Sequence, residues 1–189
     1  MKRLFAVILF LSSSVSLGQE IKMYSWEEAL NEDPDSVFAI TFEKMRLTSV
    51  PDELSKFSQL RQLILSKNKL VRLPNFIGDF KELELLNVER NQLDVFPIVV
   101  CRLTKLKELI LNRNNIEEIL DCVEYAVSLE YIDVYDNSIR VLPLSLTRLK
   151  NLKKMDFTGI RFGPKFQETW KSTLPNVELI FDAPCDCMN

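Results

Sequence analysis

Among the residues of this 189-residue chain, Asp133 and Asp156 come nearest to a catalytic pair in type and spacing. They stand 23 residues apart, and on neighbouring strands in one register their carboxylates would approach to ~5 Å, with Asp136 close by. A separation of that size is reminiscent of the pair used by retaining glycosidases. The same chemistry needs an enclosed pocket that drives two carboxylate pKa values apart and excludes water. An open strand surface offers neither. The sequence contains no His, which removes the commonest general base and the commonest zinc ligand, and its four glycines form no phosphate-cradling motif. The reading is a non-enzyme that needs no cofactor and no metal, with weak cation binding or plain solvation as the alternative roles of the acids.

The elements that would hold such residues follow from an internal period. Asn68, Asn91, Asn114 and Asn137 lie 23 residues apart, and the same frame extends back to Met45 and forward to Ile160. Eight, five and three residues before these six anchors stand Val37, Ile40, Phe42; Leu60, Leu63, Leu65; Leu83, Leu86, Val88; Leu106, Leu109, Leu111; Leu129, Ile132, Val134; and Leu152, Met155, Phe157. At 47% hydrophobic composition, chance would fill all eighteen positions with apolar residues on the order of once in a million trials. Two residues after the anchors come Leu47, Leu70, Leu93, Ile116, Ile139 and Phe162. Each unit offers a short strand and a turn that cannot bury their apolar side chains alone, so stacked neighbours must complete the core.

Leu60-Arg-Gln-Leu63-Ile-Leu65-Ser-Lys-Asn68-Lys-Leu70 meets the leucine-rich-repeat consensus literally, and the segment from Val37 to Phe181 resembles that family. Leu73-Pro74, Ile77-Gly78 and Phe80, echoed by Val50-Pro51, Phe96-Pro97 and Leu142-Pro143, are similar to the 23-residue subtype of bacterial and Ras-associated proteins. The resemblance implies an α/β right-handed solenoid with a parallel concave sheet, short helical or irregular convex segments and helical caps. It also implies that the Asn side chains bond backbone groups of the adjacent coil.

The expected organisation is a signal peptide at 1–18, an N-terminal helical cap at 19–36, six repeats at 37–163, and a cap helix, final strand and Cys-containing tail at 164–189. Lys2 and Arg3 precede the apolar run Leu4 to Leu11 and a small-residue end at Ser16-Leu17-Gly18, the layout of an export signal. Eight apolar residues do not span ~30 Å of hydrocarbon, and no membrane span is expected in the mature chain. Removing 1–18 leaves 22 basic against 27 acidic residues and moves the formal charge from −3 to −5, which disfavours nucleic acid and anionic membranes. Ser25-x-x-Glu28 reads as a capping box opening a short helix that Asp33-Pro34 stops. Pro164 starts a second helix with Phe166, Trp170 and Leu174 on one face, and a strand follows near Val177 to Phe181.

Alternation along each strand turns three rows outward. They are Ala39, Gln62, Leu85, Glu108, Tyr131, Lys154; Thr41, Ile64, Asn87, Ile110, Asp133, Asp156; and Glu43, Ser66, Glu89, Asn112, Tyr135, Thr158. All are read as free of packing duty. Ile64, Leu85 and Ile110 form an apolar patch, Tyr131 and Tyr135 add rings of the kind enriched at interfaces, and Lys44, Lys67, Arg90 and Arg113 precede the anchors as a basic ridge that reverses sign at Asp136. The candidate partner-binding residues are Ile64, Leu85, Arg90, Ile110, Arg113, Tyr131, Asp133, Tyr135 and Asp156. Cys101 and Cys122 fall on the backs of adjacent coils, where a bridge and two buried thiols are both open. Cys185-Asp-Cys187 admits a strained ring, free thiols or bonds to another molecule.

The functional expectation is a secreted, periplasmic or cell-envelope module that presents its strand face to a protein or glycan ligand. An envelope component that self-associates through tail disulfides is the alternative, and a glycan-acting enzyme on Asp133 and Asp156 is a third.

Overall fold

The computed structural model describes residues 21–183. The export signal and the Cys185-Asp-Cys187 tail lie outside them. Eight parallel strands form one sheet in chain order: β1 Tyr24–Ser25, β2 Ala39–Thr41, β3 Gln62–Ile64, β4 Leu85–Asn87, β5 Glu108–Ile110, β6 Tyr131–Asp133, β7 Lys154–Asp156 and β8 Glu178–Ile180. The register from Ile40 through Leu63, Leu86, Leu109, Ile132 and Met155 to Leu179 is continuous. The fold is the α/β leucine-rich-repeat solenoid that the resemblance implies, with very short strands.

All eighteen periodic apolar side chains are buried, and one core runs the length of the stack. Five 3-10 turns, Asp52–Lys56, Asn75–Asp79, Ile98–Arg102, Asp121–Tyr125 and Leu144–Arg148, occupy the same offset in successive coils. They send Leu54, Ile77, Val100, Val123 and Leu146 into the core. Pro51, Pro74, Pro97 and Pro143 precede four of these turns with φ between −60° and −78°, the value to which the ring restricts them.

The Asn column closes each coil onto the one before. Asn91 Oδ1 accepts the Leu70 N–H at 2.9 Å, and its Nδ2 donates to the carbonyls of Leu65 and Val88 at 3.0 Å each. Asn68, Asn114 and Asn137 repeat the pattern, serving the N–H groups of Leu47, Leu93 and Ile116 and the carbonyls of Phe42, Val88 and Leu111 in the preceding coil. Asn fits because one short amide carries both an acceptor and donors, and a hydrocarbon here would leave backbone groups buried and unbonded.

The residue before each anchor takes a positive φ: Lys44 61°, Lys67 59°, Arg90 52°, Arg113 55° and Asp136 53°. In the last coil this place belongs to Gly159 at φ 80°, where an added Cβ would lie 3.0 Å from the Asp136 nitrogen. The basic ridge is therefore also a row of left-handed turns.

Both ends are covered. The Ser25 capping box forms, opening α1 (Trp26–Ala29), and Trp26 packs on Phe42 and Phe57. The same segment supplies β1, a strand not anticipated from its helical pattern. At the other end α2 (Pro164–Thr173) buries Trp170, and Phe166 stacks on Phe162 at 4.0 Å. The final strand is shorter than Val177 to Phe181, and Phe181 instead stacks on Phe157 at 5.1 Å.

Cys101 and Cys122 are bridged, with Cα atoms 5.4 Å apart, joining adjacent 3-10 turns. Exposed ion pairs 23 residues apart link further coils, including Glu82 to Lys105 at 2.6 Å and Glu84 to Lys107 at 2.6 Å. Each contributes about 0–1 kcal/mol in water, far less than the apolar stack.

Replacing Asn91 by Ala leaves the buried Leu70 N–H without its acceptor and takes one of two Asn donors from each of the Leu65 and Val88 carbonyls, which keep Asn68 and Asn114. The expected loss is about 3 kcal/mol by urea denaturation, against less than about 0.5 kcal/mol for Gln92→Ala, which is exposed one residue away.

Candidate partner-binding face

The outward rows lie where alternation puts them. Ile64, Leu85, Ile110, Tyr131, Asp133 and Asp156 share the strand face, each half-buried. Ile64 and Ile110 are in register two strands apart across Asn87, with Leu85 one pleat earlier on the strand between. Arg90, Arg113 and Tyr135 sit at the rim, where the strands enter the Asn turn. The nine candidates thus form two groups, a strand-face set and a rim set.

Two residues of these rows are corrected. Ala39 is fully buried and Ser66 is 4% exposed, so neither is available to a partner. Their side chains are too short to rise above their neighbours, Ser66 standing between Glu43 and Glu89.

The rim is locally paired. Arg90 lies 3.5 Å and Arg113 3.8 Å from the Glu89 carboxylate, Lys67 contacts Glu43 at 2.7 Å, and the Arg113 guanidinium sits 5.2 Å from the Tyr135 ring. Lys67 and Lys44 hold the Glu43 carboxyl below its ordinary range. A ligand acid docking on this ridge competes with Glu43 and Glu89.

The two aspartates have work of their own. Asp133 Oδ1 accepts the Tyr135 N–H at 2.9 Å, and Asp156 Oδ1 accepts the Thr158 N–H at 2.9 Å and its hydroxyl at 2.6 Å. Thr41 and Asn87 bond the N–H two residues on in the same way. A short side chain with an oxygen acceptor at this site closes a local turn at the strand end, a role that Ile64 and Ile110, like Ile180 on the last strand, do not take. The other Asp133 oxygen accepts from Asn112 Nδ2. Asn112 belongs to the outward rows, but its pairing with Asp133 is not legible in the sequence, because the contact spans adjacent strands.

Burial raises the Asp133 carboxyl above its ordinary value, against the lowering effect of the Asn112 and Tyr135 donors, and nearby Asp156 adds to the rise. The Tyr131 phenol is pushed up to about 12, by burial first and then by Asp133, Asp156, Glu108 and Glu178. The apolar groups Ile64, Leu85 and Ile110 thus lie on β3 to β5, beside Gln62, Asn87 and Glu108, and the acids Asp133, Asp156 and Glu178 lie on β6 to β8, beside Lys154. Among the described residues no group of three His, Cys, Asp or Glu converges as metal ligands, and no helix is long and apolar enough to cross a membrane.

No family model matches the sequence, and no curated protein matches it at a significant level. Solved structures do. A leucine-rich-repeat protein of Leptospira interrogans superposes with a TM-score of 0.61 at 26% identity, covering 79% of this chain. The ectodomain of the Arabidopsis thaliana membrane receptor kinase GASSHO1/SCHENGEN3, solved in complex with CASPARIAN STRIP INTEGRITY FACTOR 2, gives 0.62 at 25% identity over 80% of the chain. The chain has the leucine-rich-repeat fold. The functional domain of InlJ from Listeria monocytogenes, which includes a cysteine ladder, shares the fold with a TM-score of 0.54 at 21% identity over 68% of the chain. This leucine-rich-repeat chain spans 43%, 18% and 27% of those three proteins respectively, so it matches only part of each.

The raised Asp133 pKa sets a sign. The folded state holds this proton more tightly than the unfolded chain, so the group's contribution falls as pH rises from the ordinary Asp range through the raised value. The stability of Asp133→Asn relative to the parent should therefore increase as pH rises out of the ordinary Asp range, read from denaturation midpoints at each pH. A difference that stays constant over this rise contradicts the assignment.

Proposed function

We propose that this leucine-rich-repeat chain is an exported binding module that holds an extended protein or glycan segment across β3 to β7. The observation carrying the proposal is that Ile64, Leu85 and Ile110 present apolar groups on a face whose core columns are already filled. Packing does not ask for these three side chains outside, and two of them replace the oxygen-bearing residue that closes the turn in other coils. Desolvating such a patch favours association, and the amphipathic rings of Tyr131 and Tyr135 extend it toward the acidic end.

Asp133 and Asp156, half-buried beside Tyr131, supply acceptors for a ligand N–H, hydroxyl or cationic group. Arg90 and Arg113 at the rim supply donors for a carbonyl or an acid. Export rests on the leader pattern in residues 1–18, and the bridged Cys101 and Cys122 fit an oxidising compartment. The plant ectodomain, a structural neighbour bound to its factor, supports the use of this fold for partner capture. The turn-closing roles of Asp133 and Asp156 favour binding over hydrolysis, since a carboxylate tied to backbone is poorly placed to act as nucleophile or base.

A displayed peptide library and a glycan array, probed with residues 19–189, test the reading. Selected ligands should lose about tenfold or more in affinity to Ile64→Asp and Ile110→Asp while the melting midpoint moves by no more than about 2 °C. Tyr131→Ala with Tyr135→Ala should weaken the same ligands. Ligands bound equally well by all these variants would contradict the site.

A further inference from the structure

A second surface lies on another wall of the solenoid, past the Asn turn and before the 3-10 segments. There a groove of about 890 Å³ runs over the second to fifth coils, lined by Arg72, Val95, Ile98, Glu118 and Val141 among others. Its apolar side chains are open to solvent: Val95 is 49%, Ile98 61% and Val141 58% exposed. Contiguous exposed apolar surface rimmed by charge is the usual mark of an interface.

The charges of the groove have an order. Four residues after each anchor the coils present Ser49, Arg72, Val95, Glu118 and Val141. Arg72 and Glu118 flank Val95 by one coil each, about 5 Å on either side. Among the described residues neither forms an ion pair, whereas Arg140 lower in the groove lies 3.7 Å from Glu117. This row is complementary to itself when reversed. A two-fold axis at Val95 lays Val95 on its own image, Arg72 of each copy on Glu118 of the other, and Ser49 on Val141. Asp94, one residue off the row, stands to one side of that axis in each copy. An isologous interface demands this self-complementarity, because every contact occurs twice.

We propose that this groove docks a second copy of the chain about a two-fold axis at Val95, with Arg72 of each copy against Glu118 of the other. The dimer uses a wall separate from the strand face, so it brings two partner-binding faces into one assembly. The inference is independent of what that face binds.

Sedimentation velocity on the purified protein, carrying Cys185→Ser and Cys187→Ser so that tail disulfides make no contribution, reads the association. The parent should sediment as a concentration-dependent dimer. Arg72→Glu alone sets acid against acid twice, Glu118→Lys alone sets base against base twice, and each should weaken association about 100-fold. Mixed in equal amounts, the two variants should regain the parental dimer as a heterodimer, because both contacts are then complementary. That recovery also certifies that both variants are folded. A parent that stays monomeric at its highest soluble concentration, single variants that dimerise like the parent, or a mixture that remains monomeric would each overturn the proposal.

Discussion

A 23-residue coil that closes on itself must turn sharply at the end of its strand, and the turn buries backbone groups that the strand ladder does not reach. The Asn column meets this constraint. Each of its amides takes an N–H from the preceding coil and gives protons to carbonyls of both coils, so the bonds that seal one turn also join it to its neighbour. Because local closure and stacking share the same side chain, no coil is complete alone. Stability is accordingly a property of the array, with the apolar columns supplying most of the favourable free energy and the Asn column fixing the register in which they stack.

The surfaces follow from that arrangement. Once the columns through Leu63 and Leu65 and their counterparts fill the interior, alternation leaves every second strand residue without a packing role. The chain spends some of these positions on local turns, through Thr41, Asn87, Asp133 and Asp156, and leaves Ile64, Leu85 and Ile110 without one. The two isoleucines of the apolar half thus stand at the position where Thr41, Asn87, Asp133 and Asp156 close turns with an oxygen. The flank beyond the Asn turn is a separate surface, with its own alternation of charge and hydrocarbon.

What could be read from the sequence was whatever repeats. The eighteen core positions and the buried face of the final helix follow from side-chain type recurring at a fixed interval, and the bonding role of the Asn column is what the family resemblance implies. Features set by neighbouring coils were not legible in the same way. Ser66 is polar and in an outward row, yet it is buried because the longer Glu43 and Glu89 stand on either side. The row from Lys44 to Arg113 read as a basic ridge, while its shared positive φ is a backbone property that Lys and Arg do not announce. The bridge between Cys101 and Cys122 depends on the spacing of two turns, which the period placed on adjacent coils without fixing their distance. The column of Arg72, Val95 and Glu118 carries no periodic signal, because no one residue type fills it.

The most direct measurement of the central claim is native-state hydrogen exchange at the amides of Leu47, Leu70, Leu93 and Ile116, each of which has an Asn side-chain oxygen as its acceptor. If the Asn column seals and joins the coils, these four should exchange as slowly as the strand amides of Leu65 and Val88, which bond to Asn87 and Ile110 of the next coil. Exchange at the rate of exposed turn amides would contradict the account.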